Sequence, residues 1–393
     1  MAAITITWQD TDAVRPAHDV LVRLAACTDR AYEAGDVSAY LMAAGPGGRW
    51  VWTADLPRDL RTSYQLCPAR DRPLRGQPLG QDRWAATVAA GQPDPSCPDS
   101  LPAGCTFGNP GAPASVLSMP GALPQPWVAR RPDVPRGPLV RTPLAGGSLV
   151  HLYRSPGAPA GPTPLVVIFD GQRLLATDVA ATFDNLAADG VAGPLTAVVV
   201  ESIRGSAPRG PSRIKSLTVA AELESFIFGD LLPAVEARYR VTTSPARRVL
   251  AGHSLGAVAG LHLAARHPGV FGSVVAGSPA LWWPGGNGQI AGADVAAAYT
   301  GAAPSGRLFL DAGTEEGDLL HDARAFRDTL VAAGHDVTYR EFRGGHDHAC
   351  WRGSLADGIV GVVSKAGSAG AAPAPRAGAV YPASCQKLGA RAS

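Results

Sequence analysis

The stretch RRVLAGHSLG, residues 247–256, decides the reading of the chain. An apolar run, RRVLAG, enters a G-x-S-x-G pattern at 252–256, and a helical run over 255–267 follows with no intervening loop. A strand that turns straight into a helix through a serine between two glycines is a sharp, strained turn, in which a side chain at Gly252 or Gly256 would collide with the neighbouring strand or helix. Working outward, apolar β-branched runs alternate with helical stretches on both sides. PLVVIFDG (164–171), LTAVVVES (195–202), VFGSVVAGS (270–278), RLFLDAG (307–313) and VTYREFRGG (337–345) read as strands. The stretches 176–189, 219–239, 319–333 and 349–363 read as helices. Continuous apolar strands separated by helices are what a parallel sheet covered on both faces requires. With the serine elbow, this predicts an α/β-hydrolase fold, doubly wound with a mostly parallel sheet, over residues 136–365.

The flanks differ. Residues 1–135 predict a small β-rich N-terminal module, with strands at ITITWQ (4–9), VSAYLMAA (37–44) and RWVWTADL (49–56). From Pro68 to Pro138 the composition shifts to Pro, Gly, Asp and Ser and reads as an extended strap. Residues 366–393 are an Ala/Gly/Pro-rich low-complexity tail. Glycine (46) and proline (35) make up about a fifth of the 393 residues, well above the usual share, so loops are abundant between ordered blocks. Lys+Arg 35 against Asp+Glu 33 leaves +2, too even for a nucleic-acid binder. No apolar run is long enough to span a membrane, and the N-terminus lacks a basic or apolar leader pattern, which predicts a cytoplasmic protein. Six cysteines without C-x-x-C spacing read as reduced thiols, with a Cys97–Cys105 bridge as the alternative.

The chemistry centres on Ser254, whose hydroxyl the elbow projects from the sheet edge, with the backbone N–H of Leu255 aimed at a developing oxyanion. A serine needs a base held by an acid, in the chain order Ser, acid, His on this fold. RLFLDAGTEEGD supplies Glu316, with Glu315, Asp318 and Asp311 as rivals. REFRGGHDHACW supplies His346, with His348 as rival. His321 and His335 read as surface histidines, and His253 as packing beside the elbow. A second oxyanion donor is expected after PLVVIFDG, from the backbone of Gln172 or Arg173, and Asp170 reads as tying that turn together. From Ser202 to Ala221 the chain carries Arg204, Arg209, Arg213 and Lys215 and no acid. These cations would emerge at the same sheet edge as the elbow and point to an anionic substrate.

These residues resemble the enterochelin (enterobactin) esterase family. The G-x-S-x-G is shared by many hydrolases. More specific are VWTADLPRDLRTSYQL, the strap with DPSCPD and SVLSMPGALPQPW, then VVIFDGQRLL, SRIKSL, GSPALWW and GGHDHACWRGSL. The resemblance implies hydrolysis of the ester backbone of a ferric catecholate siderophore inside the cell, with Glu316 at the position of the family's acid. Iron would arrive on the substrate, so no metal cofactor is implied. Flat catechol rings could stack on Trp282, Trp283 or Trp351. Three positions depart from the family pattern. Cys97 replaces the asparagine of Asp-Pro-x-Asn-Pro, Ser216 replaces the glutamate of Arg-x-x-Glu-Leu, and His348 stands in place of a tryptophan. These touch substrate contacts more than the triad. Competing readings are a general carboxylesterase, a feruloyl-type esterase or an acyltransferase on the same fold, or a siderophore- or carbohydrate-binding homologue without turnover.

Overall fold

The alternation in ITITWQ and RWVWTADL becomes a paired ribbon. In β1 (Ala2–Gln9) Ile4, Ile6 and Trp8 point inward while Thr5 and Thr7 do not, the period-2 pattern of a half-buried strand. This is a computed structural model, and it describes residues 1–76, 78–106, 109–203, 211–301 and 306–364. Arg204, Arg209 and the expected tail at 366–393 lie outside the described residues.

Among the described residues, seven strands of the N-terminal half form two sheets. They are β1, β2 (Asp19–Leu24), β3 (Ala43–Ala44), β4 (Arg49–Leu56), β5 (Arg61–Ala69), β6 (Ser100–Leu101) and β7 (Ala114–Ser118), with helices α1 (Thr28–Glu33) and α2 (Gln81–Ala89) between them. One sheet has the order β1-β4-β3 and the other β2-β5-β7-β6. Their inner faces share one core of Ile4, Ile6, Trp8, Val20, Val22, Leu24, Trp50, Trp52, Tyr64, Leu66 and Leu117. VSAYLMAA is not a strand as a whole. Residues 38–40 form a 3₁₀ turn and the strand is confined to β3. The Pro/Gly-rich stretch is likewise not extended throughout. It contains α2, and β7 is built into the sheet against β5, where Val116 and Leu117 are fully buried. A five-residue buried strand is easily lost in surrounding loop composition.

The second half is one eight-stranded sheet in the order β15-β14-β13-β12-β10-β11-β9-β8. Its strands are β8 (Leu139–Pro143), β9 (Leu149–Arg154), β10 (Leu165–Ile168), β11 (Thr196–Ser202), β12 (Arg248–His253), β13 (Ser273–Gly277), β14 (Arg307–Gly313) and β15 (Asp336–Phe342). From β10 to β15 all pairings are parallel, while β9 and β8 add an antiparallel edge. The helices are α3 (Gln172–Ala176), α4 (Val179–Ala188), α5 (Pro211–Thr218), α6 (Ala220–Glu224), α7 (Leu232–Arg238), α8 (Leu255–Arg266), α9 (Gly292–Gly301), α10 (Asp318–Ala332) and α11 (His348–Val363). Alternate residues of each strand feed two cores. Val167, Leu250 and Val274 pack under α7 to α10, whereas Val166, Val249 and Val275 pack under α4 and α11. The strand order reverses at β10, which has β11 on one side and β12 on the other. In open α/β sheets the carboxyl ends of strands at such a point border the ligand crevice.

The packing of α11 on β13 and β14 leaves no room at Gly358. A Cβ there would stand 2.9 Å from Phe309 Cδ1 and would also overlap Val275 Cγ1. Gly358→Ala is expected to lower stability by about 1–3 kcal/mol through overpacking, despite alanine's better helix propensity. A Tm equal to or above that of the parent would contradict this packing.

Candidate active site

The elbow forms, but of its two glycines packing requires Gly252 and not Gly256, where a Cβ would meet Phe169 Cβ at an ordinary 3.4 Å instead of the expected collision. β12 ends at His253, α8 begins at Leu255, and Ser254 between them sits at φ 57°, a conformation that costs a non-glycine residue on the order of 1–3 kcal/mol. The turn is held by the Ser254 N–H donating to the Gly277 carbonyl at 3.0 Å. A Cβ at Gly252 would approach the Gly256 carbonyl carbon to 2.5 Å. Leu255, as the first residue of α8, presents an N–H with no intrahelical partner. β10 pairs in parallel with β12, Ile168 opposite Ala251, so Gln172 and Arg173, which open α3 just beyond β10, lie at the same sheet edge as Ser254.

The carboxylates separate cleanly. Glu316 Oε2 lies 3.4 Å from His346 Nδ1, and its side chain is 1% exposed. Its other oxygen accepts the Ser278 hydroxyl at 2.7 Å and the Gly313 N–H at 3.2 Å. Glu315 turns the other way, to Arg30 of the N-terminal module and to Arg343 at 3.2 Å. Asp318 is exposed in the first turn of α10. Asp311 is buried against Arg340 at 3.3 Å, and burial pushes its carboxyl up to about 6. Of the four candidates, Glu316 is the one against His346. His321 is exposed, and His335 bonds the Tyr299 carbonyl oxygen at 2.9 Å.

His253 and His348 lie in a buried aromatic layer beneath His346. Trp351, 1% exposed, stacks on His253 (centroids 4.9 Å, 17°) and presents an edge-on arrangement to His346 (4.5 Å, 81°) and His348 (4.9 Å, 83°). Its Nε1 donates to Ser278 Oγ at 3.0 Å. Trp351 therefore has no face to offer a ligand, contrary to the stacking role expected of it. Trp282 is 59% exposed and Trp283 half-buried against the core, so a platform at this edge falls to Trp282. His348 is enclosed and its burial lowers its pKa well below the usual imidazole range, which does not suit a base that must reach a substrate.

Arg213 also differs from expectation. Its guanidinium is bidentate on Asp170, with Nε to Oδ1 at 2.7 Å, and Gln172 Nε2 adds a bond to the same oxygen at 2.7 Å. Burial alone would raise the Asp170 carboxyl, but the Arg213 pairing holds it below its ordinary value. Asp170 and Arg213 thus strap α5 to the turn before α3. Lys215 remains exposed on α5. The residues that sequence reasoning missed are Ser278, which joins Trp351 to Glu316, and Asp347, which caps α11 through Ala349 N at 3.0 Å. Both lie in motifs already quoted, GSPALWW and GGHDHACW, but their partners are remote in sequence. Among the described cysteines, Cys27, Cys67, Cys105 and Cys350 are in no disulfide. Cys97 is disulfide-bonded, so the reduced reading fails at that position. The alternative bridge to Cys105 fails too, since the Cys105 thiol donates to the Arg173 carbonyl at 3.4 Å.

The family described as "Putative esterase" matches residues 149–361, and "Enterochelin esterase, N-terminal" matches residues 3–128. The chain is similar to the iron(III) enterobactin esterase of Escherichia coli O6:H1, with 27% identity over 79% of this chain and 78% of that protein. It is also similar to the iron(III) salmochelin esterase of the same organism, with 28% identity over 91% of this chain and 86% of that protein. Its fold matches the enterobactin esterase of Shigella flexneri solved in the presence of enterobactin, with a TM-score of 0.76 and 23% identity over 91% of this chain and 92% of that one.

Two outcomes follow from the geometry. Glu316→Gln should depress kcat for a small ester by tenfold or more, while Glu315→Gln and Asp318→Asn stay within a few fold. A dominant loss at Asp318 would move the acid by two residues. The second outcome concerns pH. Burial lowers His253 to about 3 and lowers His348 strongly, so both are neutral when folded and protonate near 6.5 when unfolded. Their contribution is complete above pH 6.5 and is lost as pH falls toward their folded values, costing about 2 kcal/mol at pH 5 for His253, with His348 acting in the same direction. Denaturant midpoints should fall from pH 7 to pH 5, and less steeply in His348→Gln.

Proposed function

The chain belongs to the enterochelin esterase family, and from that premise we propose that it hydrolyses the ester bonds of a ferric catecholate trilactone siderophore of the enterobactin type. Ser254 attacks the ester carbonyl while His346 takes its proton. Glu316 holds the imidazole with Nδ1 protonated and stabilises the imidazolium that forms. The N–H groups of Leu255 and Gln172 receive the oxyanion. His346 then protonates the departing alcohol, and a water deprotonated by the same imidazole releases the acid from Ser254. The observation that carries this reading is the buried Glu316–His346 bond at the sheet edge that also bears the strained Ser254 turn.

Opening the trilactone removes the covalent preorganisation of its three catecholate arms, so each arm's effective concentration at iron drops and the metal becomes easier to release. Iron enters as part of the substrate, and the reaction calls for no resident cofactor. Trp282 is an exposed aromatic face available to a catechol, and Arg173 at the start of α3 and Lys215 on α5 supply cationic character. Arg204 and Arg209 join them on the strength of sequence alone. The pairing of Arg213 with Asp170 weakens the electrostatic part of this reading and favours, to that extent, a neutral ester. Action in the cytoplasm is supported by the four cysteines outside any disulfide and opposed by the disulfide at Cys97.

The decisive experiment incubates the protein with ferric and iron-free trilactone and with a small neutral ester, and follows the linear products by mass spectrometry. Trilactone opening that disappears in Ser254→Ala and His346→Ala, by on the order of 10³-fold or more, is the expected result. Turnover of the neutral ester alone would favour the general esterase. Removing Arg204 and Lys215 together should lower kcat/KM for the ferric complex more than for the neutral ester. That gap should shrink as salt rises, because exposed charges are screened over about 10 Å at 0.1 M.

A further inference from the structure

The N-terminal module does more than stand beside the crevice. β5 runs from Arg61 to Ala69, but its partner β2 pairs only as far as Tyr64, so Arg61–Ser63 overhang the end of that strand. Two N–H groups of the overhang are taken by the segment that carries His346. Arg61 N–H donates to the Arg343 carbonyl at 2.9 Å, and Ser63 N–H donates to Asp347 Oδ2. Thr62 Oγ1 lies 3.3 Å from the same carboxylate oxygen and 3.0 Å from the Ser63 carbonyl oxygen, the two acceptors within reach of its one hydrogen, and it accepts the Ala26 N–H at 3.1 Å. Thr62, Ser63 and Asp347 are each 2% exposed or less.

The segment is pressed against the module on both sides of these bonds. A Cβ at Gly344 would meet the Arg61 carbonyl oxygen at 2.8 Å, and one at Gly345 would meet Ala26 Cα at 2.9 Å. Cys350 Sγ–H adds a contact to the Arg61 carbonyl at 3.3 Å. The acid's loop is tied to the same surface, with Arg30 on Glu315 and the Glu315 N–H on the Gly344 carbonyl at 2.9 Å. Every residue adjoining His346 in the run 343–347 is therefore fixed by the module or packed against it, while the imidazole itself touches Glu316 and Trp351 of the hydrolase domain.

We infer that the N-terminal module positions the general base: Thr62 and the Ser63 N–H, acting through Asp347, set the orientation of His346. This rests on the mechanism proposed above. Asp347 Oδ1 caps α11 while Oδ2 receives the module, so one carboxylate couples the helix start, the base's loop and β5. Thr62→Val keeps the shape and removes the hydroxyl, leaving the Ala26 N–H and Asp347 Oδ2 without it. Thr62→Ser restores it. Asp347→Asn sets an amide donor against the Ser63 donor or gives up the cap.

The test is steady-state kinetics of the full chain with 4-nitrophenyl acetate, which is too small to need a siderophore-binding surface, run well below every variant's Tm. Thr62→Val and Asp347→Asn should lower kcat about 10- to 100-fold with KM within about twofold, and Thr62→Ser should stay within about threefold of the parent. Leu66→Val, in the module's core away from the loop, serves as the stability control and should keep its kcat. Normal kcat in Thr62→Val and Asp347→Asn, or equal loss in Leu66→Val, would overturn the positioning role. Losses confined to the KM of a ferric trilactone would do the same, because the module would then act on substrate alone. Activity surviving in Ser254→Ala would instead overturn the mechanism beneath it, so the two failures are told apart.

Discussion

The turn at Ser254 can exist because nothing occupies the space between β12 and the first turn of α8. With a Cβ at Gly252 only 2.5 Å from the Gly256 carbonyl carbon, any side chain there would push the helix off the strand and with it the serine out of its φ 57° conformation. The rest of the site inherits its geometry from that closeness. α8 starts immediately after the serine, so the Leu255 N–H is delivered by the helix end itself. β10 is the direct neighbour of β12, so the turn before α3 comes to the same edge. The parallel register of β13 and β14 then carries Ser278 and the loop of Glu316 alongside. A strained residue of this kind persists when its surroundings over-determine it, and here they do, through the bond to Gly277 and the two cores that grip β12 from either face.

Beneath the edge lies a layer that is part core and part chemistry. Trp351 donates to Ser278, Ser278 donates to Glu316, and Glu316 receives His346, so a run of hydrogen bonds connects a fully buried indole to a partly exposed imidazole. Ser278 is itself at φ 42°, a second strained residue at the end of the neighbouring strand. In a low-dielectric setting such bonds are stronger than in water and costly to leave unmade. Glu316 is well served in this respect, with two donors on Oε1 and His346 on Oε2. His253, stacked on Trp351 and kept neutral by burial, fills volume under the serine without competing for its proton.

How much of this could be read from the chain depended on how local each signal was. The elbow, the parallel strands and their helices were legible because each is written in contiguous residues, as in RRVLAGHSLG. The pairing of Glu316 with His346 was narrowed to a few carboxylates but not chosen by spacing alone, since Glu315 and Glu316 are neighbours whose opposite directions come from Arg30 and from Ser278, both far away in sequence. Trp351 illustrates the reverse error. A tryptophan in a motif near a catalytic histidine suggests a binding face, yet α11 turns it into the core, and nothing in its local sequence distinguishes the two fates. Arg213 reads as charge for a ligand because no acid lies nearby in the chain, whereas Asp170 reaches it across the fold. β7 is hidden because four buried residues carry little weight inside a Pro- and Gly-rich stretch.

The same distinction explains why the two halves belong together. A small β-sandwich ending in a short strand exposes backbone donors at its rim, and such donors need partners when they are buried. The rim at Arg61–Ser63 finds them in the hydrolase domain's loop, and that loop, with glycines at 344 and 345, has too little side-chain bulk of its own to fix a conformation. Each half thus lacks what the other supplies. The module lacks acceptors, and the loop lacks restraint. The contact is formed largely by main chain and by polar side chains, Asp347 foremost, so it constrains the backbone on both sides of the histidine more tightly than apolar packing of two surfaces would. Orientation of a catalytic group demands this kind of restraint, because hydrogen bonds are directional and hydrophobic burial is not.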